Sequence, residues 1–400
     1  MASLACLTLL DSLSRAYETS DPDLAVAFNP ANTDARIRRS VAALNAPNSE
    51  VSAAAINKDL AFVRQYAPID ARAISLLGEQ RLRAGDVEEA RRLYEGALRV
   101  APTELHSLKR LIGLDLGDGE LSSATDKVSV LLKRWPTRFS EFADIFPPLM
   151  RTGDGYRAVL ETVAEDAAWR GRLLDHLATG PDTAPLAYRL LLDLRSTVLP
   201  VTPREVDRVV GQLLRAGNPQ LAYQAFALTR TPAELQNAGY VTNSEFSKSA
   251  AASPFDWSLP RVAGVEAEIL TEEMGPGGSG GLRVQFRRKP VKGAIARQVL
   301  MLPPGDLELS TESTARSLET PKGLFWEITC SGSREPLIVM SVEPGRYDHS
   351  EVSVRFSVPA TGCQTQQLTL STGVIAPSMR YRYDGSLIVH RISVRQTDAD

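Results

Sequence analysis

The chain has 400 residues, 45 basic against 48 acidic, a net charge of -3 and a hydrophobic share of 43%. That length exceeds one simple core and argues for two domains, and the balanced charge supplies no basic field for phosphates, which excludes nucleic acid as a main partner. No apolar run approaches the roughly 20 residues that a membrane-spanning helix needs.

The chain opens on MASLACLTLL, which reads either as a frayed first helix or as the remnant of a signal or anchor segment, so residues 1–20 are set apart from the fold. Residues 29–68 form a degenerate helical pair whose turn is lengthened around Pro47. Strict spacing follows. Gly85, Gly119 and Gly153 recur at an interval of 34 residues, as do Ala90, Ala124 and Ala158, and Pro68, Pro102 and Pro136. Three series at one period mark a repeat of paired helices. In the best unit, Ala71 to Glu104, Leu77 and Tyr94 fill the space between two helices, and Gly78, Ala90 and Ala97 are small where the helices approach. Gly85-Asp86 ends one helix and caps the next, and Pro102 stops the second. Two looser units follow, Leu105 to Arg138 and Phe139 to Arg172, then an irregular pair over 173–197 and a hairpin that Thr202-Pro203 starts and Gly217-Asn218 turns.

This half resembles the tetratricopeptide repeat proteins. The resemblance implies an α-solenoid over residues 21–240 whose concave face binds protein partners, or a curved rod that spaces the other domain.

From Val262 the period changes to two. LRVQF, LELST, LFWEITC, EVSVRFSV, QQLTLS and SLIVHRISVR alternate apolar and polar residues as half-buried strands do, and nine or ten such strands describe an antiparallel β-sandwich over residues 254–396. Residues 241–253 read as a linker and 397–400 as a tail. The ordered strings PFDWSLP, GLRVQF, LMLPPGDLELSTESTARSLETPKGLFWEITC and FSVPATGCQTQQLTL resemble the C-terminal domain of bacterial tetratricopeptide proteins of capsule and exopolysaccharide loci. That domain is similar to jelly-roll carbohydrate-binding modules and galactose-binding-like sandwiches. The resemblance implies a jelly roll with PFDWSLP as its first strand and Phe255 and Trp257 at its rim. It also pairs Cys330 with Cys363, which implies an oxidising, periplasmic or envelope address; two buried free thiols in a cytosolic protein are the alternative.

Catalytic patterns find little support. GPGGSGG, Gly275 to Gly281, satisfies both GxGxxG and GxSxG, but a strand follows it where both motifs need a helix, so Ser279 is not expected to be a nucleophile. His106, His176, His349 and His390 show no ligand or triad spacing, and Glu88-Glu89 and Glu272-Glu273 read as solvated charge. Neither metal nor cofactor is expected. Sugars stack on flat rings and pair with polar side chains, which makes Trp257, Tyr347, Tyr381 and Tyr383, with Arg380 and Arg382, the candidate glycan residues; Trp326 shares a face with Leu324 and Ile328 and reads as core. The reading is a non-enzymatic envelope protein that binds protein partners through its solenoid and polysaccharide through its sandwich, in polysaccharide biosynthesis or export. A pure scaffold and a glycan hydrolase or lyase are the alternatives.

Overall fold

The computed structural model describes residues 2–45, 53–165, 168–231, 234, 239–251, 253–271 and 280–397. The turn at Pro47, Glu272-Glu273 and Gly275 to Ser279 lie outside the described residues. The chain forms two units, Met1–Arg172 and Leu173–Asp400.

The first unit is helical, with α1 (Ala2–Tyr17), α2 (Pro22–Phe28), α3 (Thr33–Asn45), α4 (Ala53–Tyr66), α5 (Ala71–Arg83), α6 (Val87–Val100), α7 (Leu105–Asp118), α8 (Leu121–Arg134), α9 (Phe146–Met150) and α10 (Gly153–Glu165). Helices α3 and α4, α5 and α6, and α7 and α8 pack as pairs, and α4 meets α5 as α6 meets α7. The α5–α6 turn follows from its residues. Gly85 takes a left-handed φ of 83° that a side chain would strain, and the Asp86 carboxylate then accepts the Glu89 N–H at 3.2 Å. Gly119 repeats this geometry at the end of α7 with φ 79°. Pro102 follows the end of α6, and Pro136 follows α8 by opening a 3-10 turn.

Gly153 departs from the expected scheme. It starts α10 rather than ending a helix, and the turn before it is closed by the Thr152 hydroxyl, which accepts the Gly155 N–H at 3.1 Å. The helix expected before it is broken into 3-10 turns, Pro136–Glu141 and Ala143–Ile145, and the five-residue α9. Pro136, Pro147 and Pro148 explain the break, since proline is tolerated only where a backbone N–H is not needed.

Packing within the pairs refines three more expectations. Gly78 makes room for a ring: a Cβ there would lie 2.8 Å from Tyr94 Cε1. Ala90, Tyr94, Ala97, Ala124 and Ala158 are buried as expected. Leu77, by contrast, packs against Ile37, Leu60 and Leu76, the cluster of the preceding pair.

In the second unit, α11 (Arg170–Thr179) enters from the boundary and α12 (Ala184–Leu194), α13 (Pro203–Arg215) and α14 (Pro219–Ala227) follow. The hairpin read from the sequence is there: Thr202 and Glu205 form a reciprocal capping box at the start of α13, and Gly217 turns with φ 77°. The strands are β1 (Val265–Leu270), β2 (Gly281–Phe286), β3 (Ala294–Leu300), β4 (Gly305–Glu319), β5 (Leu324–Cys330), β6 (Pro336–Ser341), β7 (Gly345–Val358), β8 (Gln366–Thr372) and β9 (Asp384–Gln396). They form a five-stranded sheet ordered β1-β2-β9-β4-β7 and a four-stranded sheet ordered β3-β8-β5-β6, with antiparallel pairing throughout. With β1 set aside as an extra edge, the order 2-9-4-7 against 3-8-5-6 is that of a jelly roll.

Between the sheets lie Leu307 and Leu309 of β4, Trp326 and Ile328 of β5, Leu368 and Leu370 of β8, and Val389 and Ile392 of β9, all buried. Alternation puts every second residue of each strand into this core. The Cys330–Cys363 disulfide, Cα to Cα 5.1 Å, ties the end of β5 to the segment before β8.

The segment expected as the first strand is not one. Its regular pairing is the single bridge of Ser258 to Arg297 on the edge of β3, and both its aromatic rings are buried rather than at a rim. Phe255 packs on Tyr223 and Phe226 of α14, at 5.3 and 5.5 Å, and Asp256 accepts from Arg230 at 2.9 Å. Trp257 packs the other way, on Phe246 and Trp326 at 5.1 and 5.9 Å. PFDWSLP thus ties the last helical hairpin to the sandwich. The stretch expected as a linker also adds Val241 and Phe246 to the sandwich core.

Candidate functional site

The outward face of the five-stranded sheet gathers the most reactive side chains of the sandwich. β4 lies between β9 and the edge strand β7, and alternation that buries Leu307 and Leu309 turns Glu308, Ser310 and Glu312 outward. Near Ser313 that alternation breaks on both sides: the β4–β9 register shifts between Glu312 and Ser313, and the β4–β7 register shifts between Ser313 and Ala315. A bulge re-aims side chains. Here His349, at a left-handed φ of 49°, and His390 come to lie flat on one another, ring centroids 4.5 Å apart and 12° from parallel.

Hydrogen bonds fix the two rings. His349 Nδ1 lies 2.7 Å from Glu312 Oε1, and the His349 backbone N–H donates to Thr314 Oγ1 at 3.2 Å. The Thr314 hydroxyl is also hydrogen-bonded with His390 Nε2, 2.9 Å away. Burial, and then the neighbouring His349, hold the His390 pKa below the usual imidazole range, so this ring is neutral at pH 7. The hydrogen bond with His349 holds the Glu312 carboxyl below its ordinary value, helped by Arg391. Arg391 sits 3.6 Å from Glu312 and 3.2 Å from Glu351, and Ser310 bonds Ser393 at 2.9 Å. The His349 side chain remains 63% exposed. The face therefore offers flat rings, an ionised carboxylate, a guanidinium and hydroxyls to solvent. Among the described residues, no group of three or more His, Cys, Asp or Glu is placed to hold a metal ion.

The residues expected to bind glycan are not brought together. Trp257 is 1% exposed and donates its indole N–H to the Asn243 carbonyl at 3.1 Å. Tyr383 is fully buried beside Phe286, with its hydroxyl donating to the Gly323 carbonyl at 2.8 Å. Neither ring presents a face to a sugar. Tyr347 is half-buried against the core, opposite Ala315, and burial raises its pKa. Residues 380–382 form no strand, so the expected aromatic and cationic faces do not exist: Arg380 and Arg382 are exposed, and Tyr381 is half-buried with the Lys322 ammonium 4.5 Å over its ring. The histidine pair was missed because its members are distant in sequence, although a signal was there. In SLIVHRISVR the apolar positions Leu387 and Val389 change parity to Ile392 and Val394, and that change marks the bulge at His390.

A second site lies in the helical unit. A groove of about 290 Å³ has Ile37 and Leu44 of α3 and Leu76 of α5 in its lining, with Arg72, Arg83 and Arg110 among its polar residues. The buried Glu79 organises it, accepting two bonds from Arg110 at 2.7 Å, one from Arg83 at 3.1 Å and one from the Tyr94 hydroxyl at 3.1 Å. Burial alone raises the Glu79 pKa, but the bonds from Arg83 and Arg110 outweigh it and hold the carboxyl below its ordinary value. Burial and Glu79 push the Tyr94 phenol up.

No protein-family model matches the chain. No curated protein matches it either. Similar solved structures include a family 4 carbohydrate-binding module, at 11% identity over 39% of this chain and 99% of that chain with a TM-score of 0.30. Two others are the CBM22-1 xylan-binding domain from Paenibacillus barcinonensis Xyn10C, at 12% over 39% of this chain and 94% of that chain with a TM-score of 0.26, and a family 61 carbohydrate-binding module solved with β-1,4-galactotriose, at 12% over 40% of this chain and 99% of that chain with a TM-score of 0.25. The jelly roll itself is assigned by the strand order described above.

Proposed function

We propose that this is a non-enzymatic glycan-binding protein of the cell envelope, acting in exopolysaccharide or capsule biosynthesis or export. Its glycan face is the outward surface of the five-stranded sheet around His349. One observation carries this: two imidazoles lie flat against each other on an open face, beside Glu312, Thr314 and Arg391. Sugars present C–H faces to flat rings and adjacent hydroxyls to carboxylates and guanidiniums. The lowered pKa of Glu312 does not suit it to the general-acid role of a glycosidase. The disulfide fits an oxidising compartment, and among the described residues no helix is long and apolar enough to cross a membrane.

The helical unit is assigned to a protein partner, in the manner of a tetratricopeptide solenoid. The 34-residue interval and the left-handed glycines at Gly85 and Gly119 support that reading, and the apolar groove lined by Ile37, Leu44 and Leu76 would take an extended peptide. The same groove supports the second reading, a scaffold whose sandwich binds no sugar. A glycan array probed with the full chain separates the two: retention on at least one polysaccharide supports the first, and an empty array with a captured peptide ligand supports the second.

A further inference from the structure

One end of the sandwich carries an excess of positive charge that the glycan face does not use. Residues 287–293, 319–323 and 373–384 are distant in sequence but meet there. Tyr383 donates its backbone N–H to the Lys289 carbonyl at 3.0 Å, Thr372 donates its hydroxyl to the Val291 carbonyl at 2.5 Å, and Lys322 covers the Tyr381 ring. Together these segments hold seven Lys and Arg against two acidic residues, Glu319 and Asp384, in a chain whose net charge is -3. Two of the seven are paired, Arg287 with Glu266 and Arg288 with Asp384. Lys289, Lys292, Lys322, Arg380 and Arg382 are exposed.

The same end exposes apolar side chains. Ile375 is 86% exposed and Met379 is 58% exposed, both in the loop after β8 and within a few residues of Arg380 and Arg382. Arg382 Nε donates to the Met379 carbonyl at 2.9 Å, which holds the loop tip against its own basic residues. A soluble polyanion rewards the charge but gains nothing from bare Ile and Met. A neutral protein surface rewards the apolar pair but not the charge. An anionic bilayer rewards both, through lipid phosphates at the surface and hydrocarbon just beneath it.

We propose that the loop after β8 docks this end of the sandwich on an anionic lipid surface, with Ile375 and Met379 entering the interface and Arg380, Arg382 and Lys322 meeting the headgroup phosphates. The contact is peripheral and reversible, because it combines a small apolar insertion with a basic patch. It uses none of the side chains around His349 and does not depend on glycan binding there.

The test is co-sedimentation of the full chain with vesicles of phosphatidylcholine alone and of phosphatidylcholine with phosphatidylglycerol, at physiological ionic strength. Binding is expected to the mixed vesicles and not to the neutral ones. Ile375→Ser with Met379→Ser, at exposed positions that leave the fold intact, is expected to weaken vesicle binding about tenfold. Arg380→Glu with Arg382→Glu is expected to weaken it by at least about tenfold. His349→Ala is expected to leave it unchanged. Equal binding to neutral vesicles, no binding to either, or mixed-vesicle binding that survives loss of Ile375 and Met379 and is displaced by dextran sulfate would overturn the proposal.

Discussion

Around Glu79, in the helical unit, charged groups converge on one buried carboxylate from positions 4 to 31 residues away; around Glu312 and Thr314, in the sandwich, the partners are 37 and 76 residues away, and the nearer one, His349, stays open to solvent. The first cluster is spent on the fold. Arg83, Arg110 and Tyr94 already point at Glu79, and the groove they border is left with an apolar floor. The second cluster is held by few bonds and keeps an imidazole, a guanidinium and hydroxyls for a ligand. Burial decides the difference, because a buried polar group must satisfy itself within the protein whereas an exposed one can exchange water for a ligand.

Three perturbations test that difference. Removing the bridge with Cys330→Ala and Cys363→Ala should cost about 3 to 4 kcal/mol in denaturant unfolding, because the bond closes a loop spanning 33 residues of the unfolded chain. Glycan binding by the folded variant should persist, since neither cysteine reaches the His349 face. Glu79→Gln should cost about 2 kcal/mol by weakening charge-assisted bonds to a buried group. The Glu79 carboxyl is held below its unfolded value, so its contribution is present above about pH 4.3 and is lost as pH falls through the lowered folded value. The Gln variant should lack that acid-side loss, and wild-type stability at neutral pH would remove Glu79 from its central role.

The smallest effect belongs to His390. Its folded pKa is depressed by burial and by His349, so the unfolded chain takes up a proton first as pH falls below about 6.5. Stability should therefore decline from about pH 6.5 downward toward the lowered folded value. His390→Asn should flatten that part of the profile when melting is followed against pH. An unchanged slope would mean that the ring takes up its proton at the same pH in the folded and the unfolded chain.

Legibility in the sequence followed the range of the interactions. Gly85, Asp86, Thr202 and Gly217 were readable because a cap or a turn is decided within a few residues. Trp326 was readable as core because alternation within β5 alone decides it. Gly153 misled because the 34-residue interval persists while the prolines after Pro136 break the helix that the interval implied. Trp257 and Tyr383 misled because composition marks an aromatic without saying which way the chain turns it; Trp326 and Phe286, far away in sequence, cover them. The histidine pair needed the pairing of β4 with both β7 and β9, which no local pattern states. Only the parity change at His390 hinted at it.

The sandwich is proposed to bind glycan through the outward face of its five-stranded sheet. The direct measurement is titration of the full chain with the glycan found on an array, comparing wild type with His349→Ala and with Phe325→Ala, which alters the outward face of the other sheet. The expected result is a loss of at least about tenfold for His349→Ala, from the removed ring face and the displaced Glu312, with Phe325→Ala unchanged and both variants folded. Wild-type affinity in a folded His349→Ala variant, or loss confined to Phe325→Ala, would contradict the assignment.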